Sequence, residues 1–113
     1  MHPLISVITV NYDQPQVTAE LLRSLRHITY PNVEIWVVDN ASPRQGIDEL
    51  IPLFPEVHFL KSSTNLGFAG AGNQGARLAR GRWYVLLNPD AFAEPDWLEE
   101  LVATALGIAE SEL

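Results

Sequence analysis

Two rhythms of apolar positions alternate along this chain. Leu4 to Val10 is a nearly unbroken apolar run, closed by Asn11 and Tyr12, and its Val and Ile content suits a strand buried on both faces of a parallel sheet. Val17, Leu21, Leu25 and Ile28 then recur at helical spacing, with Asp13 as the expected cap and Pro15 near the start. Pro31 and Asn32 mark a turn, and Val33 to Val38 reads as a second buried strand closed by Asp39 and Asn40. Ser42 and Pro43 suit the N-cap and first position of a second helix, whose apolar face would be Ile47, Leu50, Ile51 and Phe54. Val57 to Leu60 is a short third strand. A glycine-rich stretch follows and runs into a helix expected to end at Gly81. Trp83 to Leu87 is a fourth strand, closed by Asn88, Pro89 and Asp90. Pro95 opens a last helix with Leu98, Leu101, Val102 and Ala105 on one face.

Four strand–helix units in a row predict an α/β fold, a Rossmann-like parallel sheet with helices on both faces. Right-handed crossovers and the placement of the polar residues predict the strand order 3-2-1-4. In such a sheet the ligand sits outside the carboxyl ends of the strands. Asn11 and Tyr12, Asp39 and Asn40, and Asn88 and Asp90 all fall at those ends. The same order sets Asp39 and Asp90 on opposite sides of one cleft.

Composition narrows the picture. The 113 residues suffice for one domain, 1–113, with no internal linker or repeat. A 47% apolar fraction is globular, and a net charge of −7 argues against nucleic acid or an anionic lipid surface as partner. The chain has no cysteine, which excludes disulfides and thiolate metal sites and fits a cytoplasmic location, with the inner membrane face open to a full-length protein. No apolar run reaches the ~18 residues of a transmembrane segment. His2, His27 and His58 lack ligand spacing; His27 reads as a cation near a helix end and His58 as a strand residue.

Three stretches could carry chemistry. Asp39 can accept hydrogen bonds from a ribose hydroxyl or a pyrimidine imide N–H, and it serves equally as a turn or capping aspartate. Asp90 in Asn88-Pro89-Asp90 can hold a hard divalent cation that bridges to a diphosphate; the same tripeptide is also a common turn. Gly70 to Gly75 matches the G-x-G-x-x-G pattern of nicotinamide dinucleotide sites, with Asp90 twenty residues after Gly70. Its context opposes that reading, because Ser62 to Asn65 separate it from the preceding strand and the first strand–helix turn has no glycine. The bland reading is glycines that let a helix pack closely. A non-enzymatic receiver-like module is the third alternative, but it wants clustered acids where this chain has Asn11 and Ser62.

Asn11-Tyr12, Val38-Asp39-Asn40-Ala41-Ser42, Asn65-Leu66-Gly67-Phe68-Ala69-Gly70 with Asn73, and Leu87-Asn88-Pro89-Asp90-Ala91 occur in that order. Together they resemble glycosyltransferase family 2, especially its bacterial rhamnosyltransferase-like members, over almost the whole chain. The resemblance implies the first half of a GT-A fold: a nucleotide-sugar-binding domain cut off before the acceptor half. It implies that Asp39 reads a uracil or thymine base, with Tyr12 beside it. Asn11, Asn65, Gly67, Phe68, Asn73 and Asn88 join these as nucleotide-binding residues. Asn88-Pro89-Asp90 takes the place of the family's Asp-x-Asp motif, with Asp90 as the ligand of Mn²⁺ or Mg²⁺. Asn88 removes one negative charge where many members carry Asp, which weakens the expected metal dependence. The reaction implied is inverting transfer from a UDP- or dTDP-sugar to an acceptor hydroxyl, with a general base expected beyond Leu113. Glu94, Asp96, Glu99 and Glu100 are read as acids at a helix start and are given no catalytic role. Homo-oligomerisation through the Trp83–Leu87 edge or the last helix is expected, from an unpaired strand and exposed Trp97 or Leu101.

Overall fold

The computed structural model describes residues Met1–Leu113. Its elements are β1 (Ile5–Asn11), α1 (Pro15–Leu25), β2 (Val33–Asp39), β3 (His58–Lys61), α2 (Gly67–Leu78), β4 (Trp83–Leu87) and α3 (Trp97–Leu106), with a single 3-10 turn at Glu110–Glu112. The four strands form one sheet in the order β3-β2-β1-β4, every pair parallel. This is the expected order. β1 lies at the centre, and all seven of its residues are buried, as its continuous apolar run requires.

The period-2 alternation of each strand divides the core in two. Ile5, Val7, Ile35 and Val37 face α1, α3 and the segment after β2. Ile8, Val10 and Val38 face α2, which presents Ala71 to them. Helices therefore cover both faces. In α3, Leu98 and Val102 are buried one turn apart, whereas Leu101 stays 40% exposed.

The segment from Ser42 to Phe54 corrects the sequence reading. It forms turns, not a second helix. Pro52 and Pro55 cannot donate the backbone bonds a helix there would need. Ser42 is also committed to tertiary hydrogen bonds described below. The apolar anchors still hold, since Ile47, Leu50 and Phe54 are buried and only Ile51 is turned out. Burial is worth on the order of 1.5–3 kcal/mol for each such side chain. Helix propensity differences among ordinary residues reach only about 0.7 kcal/mol. The anchors thus decide the path of the segment.

Two further boundaries differ. Asp13 does not cap α1: the N-cap is Gln14, which makes no side-chain cap, with Pro15 at the first helical position. α2 ends at Leu78 and Ala79 is extended (ψ 146°), so Gly81 is not its stop. Gly81 is instead a point of close approach. Its N–H donates to Ser6 Oγ at 2.8 Å, and an added Cβ would lie 2.6 Å from Ser6 N and 2.8 Å from Trp83 O. Ser6 in turn donates to the buried Glu34 at 2.7 Å, and the Arg80 N–H donates to the same carboxylate oxygen. This small network ties the α2–β4 turn to the amino end of β1 and β2. His58 opens β3 and stacks on Trp36 at 4.7 Å, a strand role as expected.

Candidate functional site

Parallel strands place all their carboxyl ends on one side, and the register brings Asn11 directly beside Asp39. Asp39 is buried, with Oδ1 accepting from Asn11 Nδ2 at 3.0 Å and from Ser42 Oγ at 2.7 Å. Its Oδ2 accepts from Ser42 N at 3.3 Å. Asn11 is fully buried, and Thr18 Oγ1 donates to its side-chain Oδ1 at 2.7 Å. Asn11 therefore orients Asp39 from below the site. A buried carboxylate requires such donors, because desolvation without them would cost several kcal/mol.

A second latch stands beside the first. Asn40 Nδ2 donates to Asn65 Oδ1 at 2.9 Å, and the Leu66 N–H donates to Asn40 Oδ1 at 2.8 Å. Asn65 Oδ1 also accepts from Gly67 N at 2.8 Å, where Gly67 takes the left-handed φ of +74° that favours glycine. The loop that starts α2 is thus pinned to the end of β2. Around it Tyr12, Leu66 and Phe68 remain 43, 48 and 40% exposed, leaving apolar and aromatic faces available for stacking.

After β4, the Ala91 N–H donates to the Asn88 carbonyl at 3.0 Å and closes a turn around buried Pro89. That bond is made by backbone alone and leaves the exposed side chains of Asn88 and Asp90 outside it. No group of three or more His, Asp or Glu side chains gathers here or elsewhere to hold an ion. One carboxylate and one amide suit a Mg²⁺- or Mn²⁺-type ion that draws its remaining ligands from water and a substrate diphosphate. The residues fit a shared site of that kind and not a closed protein cage.

The structure thus brings Asn11, Asp39, Asn65 and Gly67 into one bonded assembly through Asn40 and Ser42. Tyr12, Asn88 and Asp90 share the same end of the sheet. Asn73 stands apart, exposed on α2 beside a surface groove of about 240 Å³ with Ala76, Arg77 and Tyr84. A larger cavity of about 530 Å³ lies between β4 and α3, lined by residues such as Trp83, Val85, Leu98 and Leu101. Its almost wholly apolar wall offers a nucleotide few partners. Gly70, Gly72 and Gly75 lie inside α2, not in a strand–helix turn. A Cβ on Gly72 would strike Leu86 at 2.8 Å, and one on Gly75 would strike Val38 at 2.9 Å. These two glycines serve helix–sheet packing, the bland reading of the pattern.

Sequence reasoning missed three residues. Ser42 and Asp13 were read as helix caps, and Asn40 only as a polar strand end. Asp13 N donates to Ser42 Oγ at 2.9 Å, and Asp13 Oδ1 accepts from the N–H groups of Arg44 and Gln45, each at 2.9 Å. Asp13 and Ala41 are the chain's two non-glycine residues with left-handed φ, at +54° and +57°, and both flank this network. Such strain persists where surrounding bonds over-determine it, commonly at functional sites. The available signal was the run of small polar residues after a strand-terminal aspartate.

Comparison with known proteins agrees with this fold. The family model for glycosyl transferase family 2 matches residues 6–107. An uncharacterised glycosyltransferase of Haemophilus influenzae is 30% identical over 103 residues, covering 88% of this chain and 32% of that protein. S. aureus TarS 1–349 in complex with UDP-GlcNAc superposes with a TM-score of 0.80 at 24% identity, over 91% of this chain and 31% of that one. The mannosyltransferase PcManGT of Pyrobaculum calidifontis, in complex with GDP-Man and Mn²⁺, gives 0.76 at 24% identity, over 92% and 32%. The chain spans about a third of the length of these relatives. With the sheet order, the strand-end carboxylates and a family match over nearly all its residues, this chain belongs to glycosyltransferase family 2.

Proposed function

We propose that this chain is the donor-binding part of an inverting glycosyltransferase that takes its sugar from a UDP- or dTDP-sugar. The observation that carries the reading is Asp39: a buried carboxylate, oriented by Asn11 and Ser42, at the ligand-binding end of the sheet beside exposed Tyr12. It supports an acceptor for a base N–H with an aromatic face nearby. Asn65, Gly67 and Phe68 form the adjoining loop, and Asn73, exposed on α2, joins them in the nucleotide-binding set. Asn11 acts as support for Asp39 and not as a direct contact. TarS, whose fold this chain shares, is described with UDP-GlcNAc, and PcManGT with GDP-Man and Mn²⁺.

Asp90, with Asn88 beside it, would hold the divalent cation. When bound, that ion supplies charge neutralisation for the departing diphosphate. In a chain of net charge −7 such help is needed, because an anionic donor otherwise meets repulsion. The general base for the acceptor hydroxyl is assigned to the part of the relatives that this chain does not span. No helix is long and apolar enough to cross a membrane. The reading is of a cytoplasmic domain, and it assigns the uncovered β4 edge as a site of self-association.

Calorimetric titration with UDP, with and without Mn²⁺, tests this. Weak UDP binding that strengthens with the ion is expected. Equal affinity for NAD and indifference to metal would refute the assignment.

A further inference from the structure

Only one oxygen of the Asp39 carboxylate is saturated by the protein. Oδ1 takes the Asn11 amide at 3.0 Å and the Ser42 hydroxyl at 2.7 Å. Oδ2 takes the Ser42 N–H at 3.3 Å, at the long end of the hydrogen-bond range. The Ser42 hydroxyl has one proton to place. Its oxygen already accepts the Asp13 N–H at 2.9 Å, so the proton points to Asp39 Oδ1. Asp13 is fixed in turn by the Arg44 and Gln45 N–H groups on its own carboxylate. The two left-handed residues, Asp13 and Ala41, are the joints that let these loops meet.

Gly46 completes the arrangement. It is not left-handed, so backbone geometry does not demand glycine there. A Cβ at this position would stand 3.5 Å from Asp39 Oδ2. Gly46 therefore brings no side chain against that oxygen.

We propose that Ser42, oriented by Asp13, is a positioning residue that ties down Asp39 Oδ1 and leaves Oδ2 as the less engaged acceptor for a nucleotide base, and that the site thereby selects bases with a ring N–H. Uracil and thymine offer N3–H and guanine offers N1–H. Cytosine N3 and adenine N1 present lone pairs and offer no ring N–H to a carboxylate oxygen. The selection therefore favours UDP over CDP and GDP over ADP. It rests on the donor-binding reading above.

Titration of the 113-residue chain with UDP and with CDP tests the proposal in the wild type and in S42A, S42T, D13G and D39A. The wild type should prefer UDP. S42A should lower UDP affinity about tenfold, because a charge-assisted bond no longer holds the carboxylate. CDP affinity should stay nearly unchanged, so the UDP-to-CDP ratio falls. S42T keeps the hydroxyl and should restore the ratio. D13G tolerates the left-handed backbone, removes the anchor for Arg44 and Gln45, and should lower the ratio independently of S42A. General loosening of the fold would instead weaken both nucleotides alike and overturn the proposal. If D39A weakens UDP while S42A and D13G keep the ratio, Asp39 reads the base unaided: the inference falls and the donor-binding reading stands. If D39A leaves UDP affinity unchanged, or the wild type binds no UDP, the donor-binding reading falls and takes the inference with it.

Discussion

Asp39 and Asp90 share one end of the sheet in opposite settings, the first buried and hydrogen-bonded, the second exposed. Their substitutions should therefore behave differently. Asp39→Ala is expected to weaken UDP binding with or without Mn²⁺, by the ~1.5–3 kcal/mol typical of a bond to a charged group. Asp90→Ala should remove only the increment that Mn²⁺ adds. Calorimetry on both variants separates the two roles, and a metal-dependent loss in the Asp39 variant would reverse them. Glu34 supports a prediction away from the site. Burial opposes its ionisation, but the bonds from the Ser6 hydroxyl and the Arg80 N–H outweigh that and hold its carboxyl below the ordinary value of 4.5. A lowered folded-state pKa gives stability that is present above 4.5 and lost as pH falls through the folded value. Glu34→Gln should flatten that acid limb in denaturant melts at successive pH values. Both aspartates were legible in the sequence because polar residues ending apolar runs mark strand ends. The roles of Ser42 and Asp13 were not, because they bond each other across 29 positions and local pattern rules see only neighbours.

At the scale of elements, α2 shows packing overriding propensity. Gly75→Ala should gain about 1 kcal/mol in helix propensity. The new methyl would lie 2.9 Å from Val38 Cγ2 and 3.1 Å from Ile8 Cγ2, between two buried strands. Overpacking of that kind costs typically ~1–3 kcal/mol, so net destabilisation is expected. An unfolding midpoint at or above that of the wild type would show that the helix can shift outward. The absent helix after Ser42 follows the same logic in reverse. Its apolar spacing was real, and three of its four anchors are buried, but Pro52 and Pro55 and the bonding of Ser42 decided the backbone.

At the scale of the whole molecule, β4 is an edge strand with no charged residue between Trp83 and Leu87. Tyr84 is 58% and Leu86 41% exposed, and the apolar cavity against α3 opens beside it. Unprotected edges of this kind pair with other strands. Light scattering should show a mass that rises with protein concentration, and Tyr84→Lys should return it to that of one chain. A single-chain mass for the wild type at high concentration would remove the edge from consideration.

The alternation of apolar runs by itself determined the α/β class, the parallel sheet and the order β3-β2-β1-β4, because strand burial and crossover handedness leave few other solutions. It also placed the two aspartates at the carboxyl ends of the strands, since parallel strands share a direction. Only the tertiary structure decided that Asn11 supports Asp39, and that Ser42 bonds a carboxylate instead of capping a helix. Each of those outcomes depends on which donors meet across loops distant in the chain. Buried polar groups take whichever partner the packed fold brings within reach, and that choice is made by the whole structure.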